Sequence, residues 1–545
     1  MNIEMMSALL VFFAFLMFAV KRMLTYMHVL QQEDYYNNRL WKWIFTNGTF
    51  DKRLTGALLI VGAVYFTGYV EGFFLNFLTF ICLSIVAFLE VDPRKDGKKK
   101  LASTSRAKRI YFTGLSLVAL VGAGFLAITP HPWLLILAVQ FVPLGLTMGN
   151  NILKPFEEII QKGYWDEARA KIAAYQPTVI AITGSYGKTS VKHILGHILK
   201  AQALTLITPG SVNTPMGITR IVREQLDEGH KYLIVEMGAY GPGSIKKLCQ
   251  LTPPDFGIIT ALGHAHYERF KSLDVVAKAK FELAEAVIAK DGQVIIHERT
   301  LRFPHPRELK TAHEGNFFVC GEPPSKDPAK QSDISYLSQK DLHINKVAQT
   351  KTGVKIELKW KADVHVFEVP LFGLHHGHNA ALAFAMGLKL GLNSGAMIKA
   401  LKTLPQIDHR LEVKKQPDGS RLIDDAYNSN PLGFRSALDF MVTTSTDGKK
   451  ILITPGMVEL GVAHDEVHAK IGQYAGEVVD ACVVVAPSRI PTFVKGFQQT
   501  GGAKTLVQVE TFDEANKWLS ENRSEGDLIL LENDLPDIYE RIPKM

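Results

Sequence analysis

Val179-Ile-Ala-Ile-Thr-Gly-Ser-Tyr-Gly-Lys-Thr-Ser190, running on into Val191-Lys-His-Ile-Leu-Gly-His-Ile-Leu199, decides how this chain is read. The β-branched apolar run predicts a strand, the two glycines a turn, and the apolar residues after Ser190 a helix with 3.6-residue spacing. A strand, a glycine turn and a helix opened by Lys-Thr-Ser make a phosphate cradle, because Gly184 and Gly187 let backbone N–H groups close on phosphate oxygens. Lys188 is expected to reach β- and γ-phosphates and the Thr189 hydroxyl a Mg²⁺ ion. A turn joining strand to helix without any nucleotide is the bland alternative, and Lys-Thr-Ser directly after the glycines argues against it.

The loop is the short form Gly-x-x-Gly-Lys-Thr, since the longer P-loop would need glycine at Ile182. Further blocks follow in order: Ser211-Val-Asn-Thr-Pro-Met-Gly-Ile218, Glu236-Met-Gly-Ala-Tyr-Gly-Pro-Gly-Ser-Ile245, Ile259-Thr-Ala-Leu-Gly-His-Ala-His-Tyr-Glu268 and Val276-Ala-Lys-Ala-Lys280. Gly373-Leu-His-His-Gly-His-Asn379, Asp408-His-Arg410, Leu422-Ile-Asp-Asp-Ala-Tyr-Asn-Ser-Asn-Pro431, Gly456-Met-Val-Glu-Leu-Gly461 and His464-Asp-Glu-Val-His468 complete the set. Together they resemble the Mur ligase family, in particular its D-alanyl-D-alanine-adding branch, over residues ~175–540.

The resemblance implies ATP and Mg²⁺ as cofactors and an ATP-dependent carboxylate–amine ligation through an acyl phosphate. It assigns Gly184, Ser185, Gly187, Lys188, Thr189 and Ser190 to the ATP phosphates. Asn379 falls to adenine, and Arg410 and Asp425 to phosphate or ribose. Lys188, Glu236, His266 and Lys280 are the expected catalytic residues, with Thr189, Glu236, His266 and Lys280 around the metal. Lys280 matches the lysine that carries a carbamate in several family members; read without the resemblance it is a surface helix lysine. Ala261 stands where the family usually has Asn, and His376 replaces an Asn beside His375. The histidines of 373–379 also raise a transition-metal site, which the sequence disfavours because no carboxylate or Cys lies nearby along the chain.

The resemblance stops short of residues 1–150. Apolar segments at about 5–20, 55–70, 72–89, 110–128 and 132–149 each approach the ~17–25 residues that cross a bilayer as helix. Residues 21–54 carry Lys21, Arg22, Arg39, Lys42, Lys52 and Arg53, and residues 91–109 carry eight Lys or Arg, while the breaks at 68–72 and 129–132 carry none. The positive-inside rule then predicts a multi-pass protein of the cell membrane, N-terminus outside and both catalytic domains in the cytoplasm. A cleaved signal peptide at 1–20 is the competing reading, opposed by the missing basic n-region. Residues 28–45 suit a helix on the membrane surface or a solvated connector. The net charge of +7 is explained by these loops, so no nucleic-acid partner is expected. The four cysteines are far apart and read as buried thiols of a reducing compartment.

The expected fold class is therefore α/β with N-terminal transmembrane helices (1–150), a P-loop central domain with a parallel sheet (151–407), and a Rossmann-like C-terminal α/β domain (408–545). Antiparallel strands are expected within 320–370, and a helix starting at Pro155. The partners expected are a cell-envelope precursor, lipid-linked in one reading and soluble in the other, an amine such as a D-amino acid dipeptide, the membrane, and other envelope-synthesis enzymes. A membrane transporter ATPase is the alternative from another class, opposed by the absence of an LSGGQ-type signature. An inactive nucleotide-binding scaffold, suggested by Ala261 and His376, is the third.

Overall fold

The computed structural model describes residues 3–95, 100–128, 135–263, 270–323, 340–427, 429–458, 460–501 and 504–534, and the described residues up to 162 and those from 163 to 534 form two compact units. The first unit is helical: Ile3–Gln32, Asn37–Asn47, Lys52–Phe66, Gly72–Leu89, Ser105–Ile128 and Leu135–Gln140, followed by the start of Val142–Tyr175. Three of its helices, Met6–Gln32, Gly72–Leu89 and Ser105–Ile128, are long and apolar enough to cross a membrane.

The other two expected segments are not among these three, and residues 132–134 of the last lie outside the described residues. Lys52–Phe66 is capped at its start by the Asp51 carboxylate, which accepts from Leu54 N–H, and stops before Gly68 at φ +71°. Its 15 residues reach only about 22 Å. The fifth segment is divided at Phe141, and the helix beyond it runs through Pro155 into charged sequence. Pro155 therefore sits inside a helix rather than opening one. The first segment, expected to be short, is instead the 30-residue Ile3–Gln32. Residues 28–45 divide between the end of that helix, a turn, and Asn37–Asn47. Where basic Arg22 is buried, Asp51 at 3.0 Å and Glu90 pair with it.

The second unit holds two sheets. The larger has nine strands: β1 (Thr178–Thr183), β2 (Thr205–Ile207), β3 (Tyr232–Glu236), β4 (Phe256–Ile259), β5 (Gln293–His297), β6 (Phe317–Gly321), β7 (Leu342–Gln349), β8 (Val354–Trp360) and β9 (Asp363–Val369). Their order is β2-β3-β1-β4-β5-β6-β7-β8-β9, parallel from β2 through β7 and antiparallel over β7-β8-β9. The expected antiparallel strands thus extend the parallel sheet at one edge.

β1 shows why the sheet is buried on both faces. Val179 and Ala181 enter the core formed with the helices Pro215–Gln225, Ser244–Leu251 and Leu273–Ile288. Ile180 and Ile182 enter the opposite core, with Lys188–Lys200, His375–Lys389 and Ser394–Leu401. A strand that alternates between two apolar layers reads as an unbroken hydrophobic run.

The smaller sheet follows with β10 (Glu412–Lys415), β11 (Arg421–Asp425), β12 (Lys450–Thr454), β13 (Ala481–Val485), β14 (Thr505–Val509) and β15 (Leu528–Glu532). Its order is β10-β11-β15-β12-β13-β14, with only β10 antiparallel to its neighbour. Cys82, Cys249, Cys320 and Cys482 are all free thiols.

Candidate active site

β1, β3 and β4 are adjacent and parallel, so their carboxyl ends deliver the Gly184–Gly187 loop, Glu236 and Thr260 to one place. Both loop glycines are required. At Gly184 (φ +148°) a Cβ would lie 1.9 Å from Thr260 Oγ1, and at Gly187 (φ +83°) 2.5 Å from Asn379 Oδ1. Ala261, which lacks the family's usual amide, supports the loop through its backbone: its carbonyl accepts from Ser185 N–H at 2.7 Å and Tyr186 N–H at 3.3 Å. The helix begins at Lys188. Its first amides, those of Lys188, Thr189 and Ser190, have no intrahelical acceptor and sit at the positive end of the helix dipole.

Glu236 is the hub. Its Oε2 accepts from Thr189 Oγ1 at 2.9 Å and from Lys192 Nζ at 3.0 Å, and its Oε1 from Asn213 Nδ2 at 3.1 Å. Burial works to raise its pKa, but Lys192 and Lys188 outweigh burial and hold the carboxyl below its ordinary value. Lys188 donates to Gly184 O at 2.8 Å and Ser185 O at 3.2 Å. Its pKa is lowered by burial and by Arg410 and Lys192, against the pull of Glu236. Lys192 and Asn213 were given no role by the sequence reading. The available signal was the cation one helical turn after Lys188, on a face otherwise apolar.

Lys280 is not a surface lysine: it is buried on the helix Leu273–Ile288, and burial, reinforced by Lys188, pushes its pKa far down. The structure thus places Lys188, Thr189, Glu236 and Lys280 in one electrostatic neighbourhood. His266 lies outside the described residues.

A cleft of about 870 Å³ runs from this loop to the smaller sheet, lined among others by Lys188, Glu236, Asn379, Arg410, Asp425 and Tyr427. Across it the hydroxyls of Ser211 and Tyr427 meet, and the Arg410 guanidinium stacks 4.5 Å over the Tyr427 ring. Asn379 packs on Gly187 from the helix His375–Lys389. Its neighbour His376 is fully buried and kept neutral by burial and by His375, with a pKa well below the ordinary imidazole value. His375 Nδ1 contacts Ser436 Oγ at 3.0 Å.

Folding does bring a carboxylate to the histidine motif, contrary to the sequence expectation. His297, Glu322 and His378 offer ligand atoms within 4.8 Å of one another. Two contacts speak against a cation there. Arg299 already straddles the Glu322 carboxylate at 2.8 and 3.0 Å. Moreover His297 Nδ1 accepts from Arg299 N–H at 3.2 Å, which leaves the proton of the neutral ring on Nε2, where a metal would need a lone pair.

A phosphate cradle at the end of a parallel sheet, a hydroxyl–carboxylate pair of hard oxygens beside it, and a second α/β domain offering an arginine and a carboxylate across the same cleft make up a P-loop enzyme whose site is completed by two domains. Comparison with known proteins defines it further. The Mur ligase middle domain matches residues 182–387, and the Mur ligase glutamate ligase domain matches residues 409–532. The chain belongs to the Mur ligase family, whose members are ATP-dependent amide-forming ligases.

It is 28% identical over 376 residues to the UDP-N-acetylmuramoyl-tripeptide--D-alanyl-D-alanine ligase of Bacillus subtilis, covering 67% of this chain and 74% of the relative. The enzyme of the same name from Escherichia coli is 29% identical over 297 residues, 54% of this chain and 62% of the relative. The fold is shared with the MurF ligase of Thermotoga maritima in complex with ADP, at TM-score 0.56 and 22% identity over 69% of this chain and 80% of that one. It is also shared with MurF of Acinetobacter baumannii, at TM-score 0.57 and 23% identity over 68% and 77%.

Proposed function

We propose that this chain is a membrane-anchored MurF-like ligase of peptidoglycan-precursor synthesis, joining a precursor carboxylate to an amine of the D-alanyl-D-alanine kind with ATP as the driving substrate. The observation that carries the reading is the assembly of Lys188, Thr189 and Glu236 at the strand ends, facing Arg410 and Asp425 in one cleft.

The loop amides and Lys188 bind the β- and γ-phosphates, and Lys188 offsets negative charge as the γ-phosphoryl group passes to the precursor carboxylate. The amine nitrogen then attacks the acyl phosphate carbon, the C–O bond to phosphate breaks, the nitrogen gives up a proton to the departing phosphate, and the amide remains. Arg410 and Asp425 bind the nucleotide from the second domain and help keep water off the acyl phosphate. Thr189, Glu236, His266 and Lys280 would hold Mg²⁺, which would supply positive charge to offset that of the phosphates. The hydroxyl–carboxylate contact at 2.9 Å fits that ion's preference for oxygen. Lys280 contributes as a carbamate: burial lowers its pKa and so favours the free amine, which adds to CO₂ and loses a proton to leave an anion.

The helical unit preceding the family match supports an anchored enzyme whose precursor is lipid-linked or handed over at the bilayer. Vesicles carrying the full-length protein are offered UDP-linked and lipid-linked precursor tripeptides in competition, with D-alanyl-D-alanine and ATP. Higher kcat/KM on the lipid-linked form is expected, and equal or better use of the soluble form refutes the lipid-linked substrate while leaving the ligase intact.

A further inference from the structure

Asp425 closes β11 and Glu532 closes β15, and the two are register partners in adjacent parallel strands, so both side chains leave the sheet on the same face. Both are buried, and only Asp425 reaches the cleft. Leu411 N–H donates to Asp425 Oδ1 at 3.2 Å, and Ser429 Oγ donates to Glu532 Oε1. Glu532 Oε2 is buried with no hydrogen-bond partner among the described residues, and the neighbouring carboxyl of Asp425 acts on it electrostatically. Two carboxylates this close in a buried site cannot both be ionised.

The charges around the pair, among the described residues, decide which one keeps the proton. Arg410, from the segment before β10, is the cation acting on both. Asp424 adds a like charge on the β11 side but is itself occupied by His409 and Lys414, each at 2.9 Å. Asn533 is turned away, donating to the carbonyls of Asp425 and Gly456.

We propose that Glu532 is a positioning residue for nucleotide binding: a protonated carboxylic acid whose Oε2–H donates to Asp425 and so presents Asp425 to the cleft as a fixed anion beside Arg410. Burial, then the adjacent Asp425, raise the Glu532 pKa well above the ordinary value. Asp425 is itself raised to about 6, burial outweighing Arg410. Loss of the shared proton puts two anions side by side, draws Arg410 toward both, and weakens the site for a polyanionic nucleotide.

The role rests on the ATP-site reading, so the test separates the two. Infrared spectra of the full-length protein in detergent are compared with those of Glu532→Gln and Glu532→Ala, and ADP affinity is measured calorimetrically from neutral to alkaline pH. At neutral pH the wild type is expected to show a protonated-carboxyl C=O band that Glu532→Gln lacks. Its ADP Kd should rise roughly tenfold per pH unit once the pair ionises. Glu532→Gln, a fixed donor, should bind within about threefold of wild type at neutral pH and lack the rise that the ionising pair produces, and Glu532→Ala should bind about tenfold more weakly. A wild type without the band, or a band that survives in Glu532→Gln, overturns the protonated pair. Identical pH profiles in wild type and Glu532→Gln overturn the positioning role. A band that behaves as expected in a protein that binds no ADP at any pH overturns the ATP-site reading, and the positioning role with it.

Discussion

Lys192→Met tests the buried hub. Lys192 and Glu236 are 3.0 Å apart with side-chain exposures of 0% and 1%, so removing the cation strands a carboxylate where water cannot reach it. Breaking a buried pair from one side costs about 3–5 kcal/mol. For a unit as large as residues 163–534 that corresponds to a melting point lower by roughly 4–6 °C. Thr189 and Asn213 still donate to Glu236, which favours the lower half of the range. The sign with pH is fixed. Glu236 has a folded-state pKa below its unfolded value, so its contribution is complete above the unfolded pKa and is lost as pH falls through the folded one. Without Lys192 the depression is weaker. The deficit of the variant is therefore full at neutral pH and narrows below about pH 4–5 as the carboxyl takes a proton. Differential scanning fluorimetry of the full-length protein against pH reads both, and Lys192→Met with Glu236→Gln should melt above Lys192→Met alone. A drop under about 2 °C, or a deficit independent of pH, refutes the reasoning.

Lys188→Ala should fold and insert yet turn over ATP at least about a hundredfold more slowly, because the cation acting on the transferring phosphoryl group is gone; near-normal phosphate release would contradict it. Lys280→Ala should be nearly inactive, with partial recovery when short carboxylic acids fill the empty anion position, and full activity without them would remove the carbamate from the account. Gly187→Ala should weaken ADP binding by about 1–3 kcal/mol, since the new Cβ meets Asn379 at 2.5 Å in a backbone conformation suited to glycine; unchanged calorimetric affinity would show that the loop yields freely.

How far the chain could be read in advance follows from where its information is local. β1, β3 and β4 were legible because two-sided burial makes them continuous apolar runs, and the P-loop because its glycines, Lys188 and Thr189 are contiguous. β10 and β14 were not, since both are edge strands whose mixed polar and apolar residues resemble loop sequence. Hydropathy does not register breaks such as Gly68 and Phe141, which is why helix ends within 55–70 and 132–149 were not legible. In the site, the roles of Lys192 and Asn213 and the Asp425–Glu532 pair depend on the tertiary fold, which brings together positions far apart in the chain. Periodicity carries no such pairing.

Coupling of ATP cleavage to amide formation tests the central claim most directly. Phosphate release and peptide product are followed together in one reaction of the full-length protein with ATP, Mg²⁺, a precursor tripeptide in UDP-linked or lipid-linked form, and D-alanyl-D-alanine. A Mur-type ligase releases one phosphate per amide formed and almost none when either the carboxylate or the amine is left out. Steady ATP hydrolysis indifferent to both substrates, with no amide product, would contradict the account.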